Sequence, residues 1–423
     1  MRARQRFGER WPASGTSGVT PLLLVRWPFQ LPSRSEGNGS MLPLEGVTVV
    51  SLEQAVAAPF ATRQLADLGA RVIKVERPGG DFARAYDTAV NGMSSHFVWL
   101  NRNKESLVVD LKTTDGQRVV RKLLDRADVF VQNLAPGAAA RLGLGAAELR
   151  ERNPRLVVCD ISGYGSSGPY RDKKAYDLLI QCETGLVSIT GNEAEPAKTG
   201  ISVADIAGGM YAFSGVLTAL YERERTGEGT AFEVSLFDAL AEWMGYPYYY
   251  AVYGGTAPKR TGARHAAIAP YGPFTAGDGS RVFLGVQNER EWRAFCSQVL
   301  EMPELAADPR FSTNPRRVAN NAELVAIVEA AFRELSSTEV LERLQEAGIA
   351  NARMRTVAEF AEHPQLRARE RWREVDSPAG RLRALLPPVT YPDRELRMDP
   401  IPEVGEHTDK ILAELDEPAP QED

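Results

Sequence analysis

Short apolar runs alternate with helical patterns along the chain that follows Met41. "PFATRQLADLGA" (59–70) predicts a helix with Pro59 in its first turn and Gly69 at its end. Five runs, each short and rich in β-branched residues, predict buried strands: "VTVVSLE" (47–53), "VIKVE" (72–76), "SLVVDL" (106–111), "DVFVQNL" (128–134) and "RLVVCDIS" (155–162). Strands that alternate with helices predict an α/β fold, in which helices cover both faces of a Rossmann-like parallel sheet.

Long helical stretches are predicted next, at 203–224 and 234–252. The aromatic, glycine- and proline-containing segment "YPYYYAVYGGTAPKRTG" then predicts a crossing to a second domain. That domain begins with a predicted strand at 281–286 and a helix at 289–300, and Ser336 with Glu339 predicts a helix capping box. We therefore expect a smaller α+β domain after the large one.

Composition excludes several classes of partner and binding site. The 423-residue chain is 43% hydrophobic and 25% charged, as an ordinary globular protein is, and its net charge of −6 argues against a nucleic-acid partner. The three widely spaced cysteines favour a reducing compartment, and without HExxH or CxxC we predict no metal site. No apolar run approaches the ~20 residues of a membrane span, so we predict no membrane partner.

Residues 1–40 have a composition of their own, with six arginines against two glutamates. This composition overlaps with that of a mitochondrial transit peptide, which would place the protein in the mitochondrial matrix. The preferred interpretation is a disordered N-terminal extension that does not pack, on a cytoplasmic protein whose fold starts at Met41.

Asp177 is the most unusual acid in the chain. It lies between Tyr176 and the apolar run 178–180, although burying an unpaired carboxylate costs several kcal/mol. From the residues alone, it is either a functional group or a structural one, such as a helix cap or a partner of Lys173 or Lys174.

Other candidates carry weaker signals. Cys182 has no neighbouring base and is interpreted as buried, and Glu183 as facing solvent or capping a helix. The glycine-serine loop at 162–169 follows a predicted strand, where it is a weak indicator of phosphate or thioester binding. Because GxGxxG is missing after the first strand, NAD and FAD are disfavoured.

Seven segments in order resemble the family III CoA-transferases, which include formyl-CoA transferase and carnitine CoA-transferase. They are "AAPFATRQLADLGARVIKVERPGGDFAR" (57–84), "NRNKESLVVDLK" (101–112), "VQNLAPGAAARLGL" (131–144), "SGYGSSGPYRDKKAYDLLIQCETG" (162–185), "DIAGGMYAFSGVLTALYERERTGEG" (205–229), "VSLFDA" (234–239) and "GEHTDKIL" (405–412). Three further segments, "EQAVAAP", "HFVWLNR" and "HAAIAPYGPF", extend the resemblance. With them, the chain is most similar to the branch of mesaconyl-CoA and succinyl-CoA:dicarboxylate transferases, which implies a dicarboxylic acyl group.

The resemblance implies that Asp177 is the nucleophile, through an aspartyl anhydride and an aspartyl-CoA thioester. Coenzyme A thioesters would then be substrates, with no permanently bound cofactor, and the partners would be an acyl-CoA donor and a carboxylic acid acceptor. It further implies an interlocked homodimer. The positions that match the family's CoA contacts are Val56, Ala57, Arg77, Val109, Asn133, Leu134, Arg141, Gly163 and Tyr164.

Several alternatives stay open. Val56 and "HAAIAPYGPF" depart from the pattern of formyl-CoA transferase, which argues against oxalate or formate as substrate. An α-methylacyl-CoA racemase would have histidine at Tyr176, whereas its aspartate matches Asp205. Arg260 and Arg264 are either a clamp for a distal carboxylate or ordinary linker charges. A non-catalytic acyl-CoA-binding protein is the remaining class.

The predicted organisation combines pattern and resemblance. It consists of an extension over 1–40, a large CoA-binding domain over 41–240, a linker over 241–265, a small α+β domain over 266–370, a C-terminal return to the large domain over 371–415 and a disordered tail over 416–423.

Overall fold

The computed structural model describes residues 41–417. The predictions for residues 1–40 and for 418–423 therefore lie outside the described residues. Asp416 and Glu417, which the predicted tail included, end the last helix and follow it.

A six-stranded parallel sheet forms the centre of the large domain. Its strands are β1 (Thr48–Leu52), β2 (Arg71–Glu76), β3 (Lys104–Val108), β4 (Val129–Gln132), β5 (Val157–Ser162) and β6 (Ala231–Ser235). They lie in the order β3–β2–β1–β4–β5–β6, so the chain reverses direction across the sheet between β1 and β4. The predicted parallel sheet is confirmed, and ligands of such sheets bind where the order reverses, at the carboxyl ends of the strands.

Strand β6 was not predicted. The sequence analysis placed the start of a helix at 234, whereas the structure ends β6 at Ser235, whose hydroxyl accepts a hydrogen bond from the amide of Asp238 and so begins the next helix. β6 is an edge strand whose residues alternate between exposed and half-buried, so its apolar side chains continue without a break into those of the helix.

Helices cover both faces of this sheet, and two apolar clusters fill the space between them. They are α1 (Ala57–Asp67), α2 (Ser95–Leu100), α3 (Thr114–Leu124), α4 (Ala138–Arg141), α5 (Ala146–Arg152), α6 (Asp177–Glu183), α7 (Leu186–Ile189), α8 (Val203–Thr226) and α9 (Leu236–Trp243). By length and composition α8 is apolar enough to cross a membrane, but it packs on α1, β5, β6 and α9 as a core helix.

The predicted linker contains a further helix, α10 (Gly245–Gly254). The smaller domain has an antiparallel sheet of β7 (Tyr271–Thr275), β8 (Arg281–Gly285) and β9 (Ala350–Arg353) with its own apolar core. Its helices are α11 (Glu289–Ala294), α12 (Asn314–Ala319), α13 (Asn321–Phe332), α14 (Ser337–Glu346), α15 (Val357–Ala361) and α16 (Pro364–Ala368). The capping box of Ser336 and Glu339 is confirmed at the start of α14.

The C-terminal segment lies against the large domain. A hairpin of β10 (Trp372–Val375) and β11 (Leu382–Leu385) leads to α17 (Thr408–Asp416), which packs on α3 and β3. Before α17, the amide of Gly405 donates to the Ser106 hydroxyl and the amide of His407 to the Ser106 carbonyl. These bonds occupy the outer edge of β3.

Candidate active site

The predicted CoA-binding residues lie at or just beyond the carboxyl ends of β1 to β5, with Arg141 at the end of α4. Where the strand order reverses, Asn133 after β4 and Gln54 after β1 exchange two hydrogen bonds, of 2.8 Å from the Gln54 amide and 2.9 Å to the Gln54 carbonyl. The Asn133 side chain therefore joins the two loops of the crevice, which indicates that its contribution is to hold them in place.

Two neighbouring cavities open at this edge of the sheet and share Leu134. One, of about 150 Å³, is lined by Arg77 and Val109, and the other, of about 390 Å³, by Arg141. Both arginines are exposed, as cations that meet the phosphate groups of CoA would be.

Val56 and Ala57 begin α1, and both side chains are buried, with 3% of their surface exposed. In this conformation neither residue therefore offers more than a small fraction of its surface to a ligand. Tyr164 follows β5 and packs edge-on against Tyr170. Gly163 is required by close packing, because a Cβ at this position would lie 2.2 Å from the Cβ of Ala175. The strand end is thereby fixed against the segment that leads into α6.

A buried charge network lies at the base of the smaller cavity, and the sequence analysis missed it. Glu53 accepts hydrogen bonds from Lys104 at 2.7 Å and Lys74 at 3.3 Å, and Lys74 also bonds Asp81 at 2.9 Å. Burial alone would raise the pKa of Glu53, but the charges of Lys104 and Lys74 outweigh it and lower the pKa to about 2. Since Asp81 also accepts from the amide of Ala55, the network fixes the loop that precedes α1.

Asp177 is held by α8 rather than by apolar neighbours. Leu178 and Leu179 are 43% and 46% exposed. The expectation that apolar side chains surround the Asp177 carboxylate is therefore wrong. Asp177 Oδ1 accepts from the amides of Ala204, at 2.8 Å, and Asp205, at 3.4 Å. The N-cap residue of α8, Ser202, makes no side-chain capping bond. Asp177, the first residue of α6, therefore caps α8 from 27 residues away, and the helix N-terminus stabilises its negative charge.

Asp205 is a second carboxylate at the same junction. Among residues 41–417 we find no hydrogen bond to its carboxylate oxygens, in contrast to those of Asp177. Burial, and then the charge of Asp177, raise the pKa of Asp205 to about 7. This side chain is therefore an acid with free oxygen atoms that changes its charge near neutral pH.

Packing places Asp205 towards the start of α1. Gly209, one turn further along α8, meets α1 so closely that a Cβ there would lie 2.6 Å from the carbonyl oxygen of Ala57. Residues four apart share a helix face, so Asp205 lies on the face of α8 that meets α1. Burial raises the pKa of Tyr86 to about 12, and the charges of Asp81 and Asp205 act in the same direction. Tyr86 therefore lies within electrostatic range of both Asp205 and Asp81, which lines the smaller cavity.

The remaining candidates are placed as follows. Cys182 is exposed, so its interpretation as a buried cysteine is wrong. Glu183 is exposed, and it pairs with Lys173. Arg260 donates to three backbone carbonyls in the segment 188–193, so its guanidinium is already occupied, while Arg264 lies over the Phe274 ring.

Comparisons with known proteins find similar sequences and a similar solved fold. Residues 44–408 match the description "CoA-transferase family III". The chain is 35% identical to succinyl-CoA:glutarate CoA-transferase of Mus musculus over 89% of this chain and 87% of that one, and 38% identical to acetyl-CoA:oxalate CoA-transferase of Acetobacter aceti over 77% and 84%. The crystal structure of a CAIB/BAIF family protein from Brucella suis superposes with a TM-score of 0.78 at 35% identity, over 89% of this chain and all of that one.

Proposed function

The chain belongs to CoA-transferase family III, and from this premise we propose that it moves CoA between dicarboxylic acids through an acyl-enzyme intermediate on an aspartate. The observation that carries the proposal is the pair of carboxylates at the α6–α8 junction. One of them, Asp177, is fixed by hydrogen bonds, and the other, Asp205, has a raised pKa and carboxylate oxygens to which no group within residues 41–417 donates.

The proposed reaction has four steps that balance. The aspartate attacks the thioester carbonyl of the donor, forming a mixed anhydride and releasing CoA thiolate. The thiolate attacks the aspartyl carbonyl, so the donor acid leaves and an aspartyl-CoA thioester remains. The acceptor carboxylate then attacks that carbonyl and expels CoA thiolate, giving a second anhydride. Thiolate attack on the acceptor carbonyl yields the new acyl-CoA and the free aspartate.

The geometry favours Asp205 as the attacking group, whereas the resemblance to the family implies Asp177. Nucleophilicity of an oxygen anion falls when donors stabilise its charge, and Asp177 accepts from two backbone amides and from the side chain of Gln181. Asp205 keeps its oxygen atoms free, and its raised pKa marks a carboxylate whose charge is poorly stabilised. In this arrangement Asp177 positions the start of α8.

Trapping with hydroxylamine tests the assignment. Hydroxylamine converts an aspartyl anhydride or thioester into a hydroxamate, which peptide mass analysis locates. We expect a hydroxamate on Asp205 that forms only when acyl-CoA is present. A hydroxamate on Asp177 would establish the sequence-based assignment instead, and labelling of neither residue during turnover would refute an aspartyl intermediate.

Substrate identity rests on the relatives. One carries succinate and glutarate in its name and another carries acetyl-CoA and oxalate, so we include oxalate although the sequence argued against it. The test crosses succinyl-, mesaconyl- and acetyl-CoA with glutarate, succinate, oxalate and the monocarboxylates acetate and butyrate. We expect transfer to at least one dicarboxylate at a kcat/KM more than tenfold above that to either monocarboxylate, about 1.4 kcal/mol. Equal rates with both classes would refute the dicarboxylate preference.

An isomerase is the competing activity in the same fold. Its two-base proton transfer would need a histidine where this chain has Tyr176. Incubation of a chiral 2-methylacyl-CoA in deuterated water is therefore expected to give no enzyme-dependent α-deuterium exchange. Exchange without CoA transfer would support the isomerase, and binding with neither reaction would support an acyl-CoA-binding protein.

We also propose a homodimer. Within the described chain, helix α10 has no buried residue, and its tyrosines are among the exposed aromatic side chains, with Tyr253 at 77% and Tyr249 at 64%. An apolar surface of this kind is characteristic of a protein interface. Light scattering should give twice the chain mass, and Tyr249→Glu with Tyr253→Glu should lower it to that of one chain. A monomeric parent protein would contradict the proposal.

A further inference from the structure

Gln181 is a polar side chain with none of its surface exposed, although it lies on α6 between the exposed Leu179 and Cys182. A buried amide without partners costs several kcal/mol, so both ends of this one must be bonded. The Gln181 Oε1 atom accepts from the amide of Thr199 at 3.1 Å, and Nε2 donates to Asp177 Oδ2 at 2.7 Å.

The orientation of this amide follows from its partners. The backbone N–H of Thr199 can only donate, so it must face the oxygen of Gln181. The NH₂ group then faces Asp177, which must accept with Oδ2. The other oxygen of Asp177 accepts from the amides of Ala204 and Asp205. One buried side chain therefore sets the rotamer of the carboxylate that caps α8.

We infer that Gln181 is a positioning residue, which locks α6 to the entrance of α8 and thereby fixes the backbone that presents Asp205 to the acyl group. The inference rests on the proposed transferase function. It extends that function because Gln181 contacts neither cavity of the CoA site, so its loss should act on turnover and leave CoA binding intact. One bond joins α6 to Thr199 in the segment that leads into α8, and the other lies within α6 and orients the carboxylate that caps α8, so their removal frees that junction to move.

Two substitutions test the inference. Gln181→Met keeps roughly the volume and removes both hydrogen bonds. We expect kcat to fall on the order of 100-fold, as expected for a reactive group misplaced by about 1 Å, with the KM for acyl-CoA within about threefold of the parent value. A kcat within threefold of the parent, or a raised KM at unchanged kcat, would overturn the inference.

Gln181→Glu provides a readout that a space-filling role would not move. It keeps the acceptor for Thr199 but places an oxygen opposite Asp177, and two carboxylates at this distance repel unless they share one proton. The ratio of variant to parent kcat should therefore rise as the pH falls from 8 to 6. A ratio that does not change with pH would contradict the inference. Residue 181 and Asp177 form the interacting pair. The other titratable groups of this region are Asp205, Tyr86, Tyr176, Cys182 and the Lys173–Glu183 ion pair.

Hydrogen exchange separates failure of this inference from failure of the proposed function. Amide exchange over residues 199–205 should accelerate in both variants whether or not the parent is an active transferase, and unchanged exchange would overturn the inference by itself. Gln345→Glu on α14 is the charge-matched control, since this exposed glutamine lies in the smaller domain and outside both cavities. Its exchange over 199–205 and its kcat should equal those of the parent. If Gln181→Met fails to fold, Gln181→Glu carries both readouts.

Discussion

Neutralising Asp177 and neutralising Asp205 should change the stability of the fold in opposite directions. The two substitutions, Asp177→Asn and Asp205→Asn, are matched in size and shape, and they act on adjacent carboxylates. One removes a charge that the α8 N-terminus stabilises, and the other removes a charge that burial and Asp177 destabilise.

Asp177→Asn should destabilise the protein. An asparagine has one acceptor oxygen, so it cannot accept from both Ala204 and Gln181, and one buried N–H group is left facing another. An unsatisfied donor costs about 1–3 kcal/mol, and the lost interaction with the helix N-terminus a further 0.3–1 kcal/mol. Part of this loss is offset, because removing the negative charge also lowers the pKa of Asp205. We therefore expect a net loss of about 1–3 kcal/mol.

Asp205→Asn should stabilise it. A pKa of about 7 in the folded state, against ~3.9 in the unfolded chain, corresponds to about 4 kcal/mol if taken in full. The side chain is half-buried rather than enclosed, so we discount this figure to roughly 1–2 kcal/mol. Relief of that cost on removal of a functional charge is the usual trade between stability and activity.

The dependence of stability on pH provides a second test of the sign predicted for Asp205→Asn. Below the unfolded pKa of ~3.9 both states hold the proton, so the charge of Asp205 costs nothing there. The cost grows as the pH rises and is complete above about 7, where the folded state has also lost the proton. The gain from Asp205→Asn should therefore be smaller at pH 5 than at pH 8.

Urea unfolding of the parent and both variants at pH 5 and pH 8 measures these differences, and steady-state assays of the same samples measure activity. Asp205→Asn should lose several orders of magnitude in kcat, and Asp177→Asn should lose less and move the acid limb of its pH profile to lower pH. The reasoning is refuted if Asp205→Asn destabilises the protein at pH 8, or if Asp177→Asn stabilises it. If only Asp177→Asn abolishes turnover, the nucleophile is Asp177.

Three further predictions concern the surroundings of the pair. Glu53→Gln leaves Lys104 buried without its carboxylate and should cost about 3–5 kcal/mol in urea unfolding; a loss below 1 kcal/mol would contradict the network. Gly163→Ala forces a Cβ against Ala175, 2.2 Å away in the present geometry, and should lower both the melting temperature and kcat, whereas normal values of both would show that the loop gives way. Arg141→Ala should raise the KM for acyl-CoA about tenfold, or 1.4 kcal/mol, at unchanged kcat, and a fall in kcat instead would place this residue elsewhere in the mechanism.

The parallel sheet could be predicted because its signal is local. The first five strands each contain a short buried apolar stretch that can be recognised without its neighbours, although β3 starts at Lys104, before its predicted start at 106. β6 escaped prediction because an edge strand has one half-buried face, so its alternation is weak beside the helix that follows. The position of the candidate CoA-binding residues at one edge of the sheet could likewise be predicted, since the carboxyl ends of parallel strands meet there.

The roles of the two aspartates could not be separated from the sequence, because the contacts that distinguish them join residues far apart in the chain. Beside Asp177 the sequence shows apolar residues, yet the structure turns two of them to solvent and brings the amides of α8 from 27 residues away. A single carboxylate cannot be both firmly held and strongly nucleophilic, since the donors that hold it also stabilise its charge. Two carboxylates at one helix N-terminus would resolve this conflict. Asp177 accepts the amides and fixes the helix, whereas burial and then the charge of Asp177 raise the pKa of Asp205, to whose carboxylate the residues 41–417 donate no hydrogen bond. In the proposed assignment, the bond that caps α8 also maintains the environment of the reactive carboxylate, and the two substitutions are therefore expected to change the stability of the fold in opposite directions.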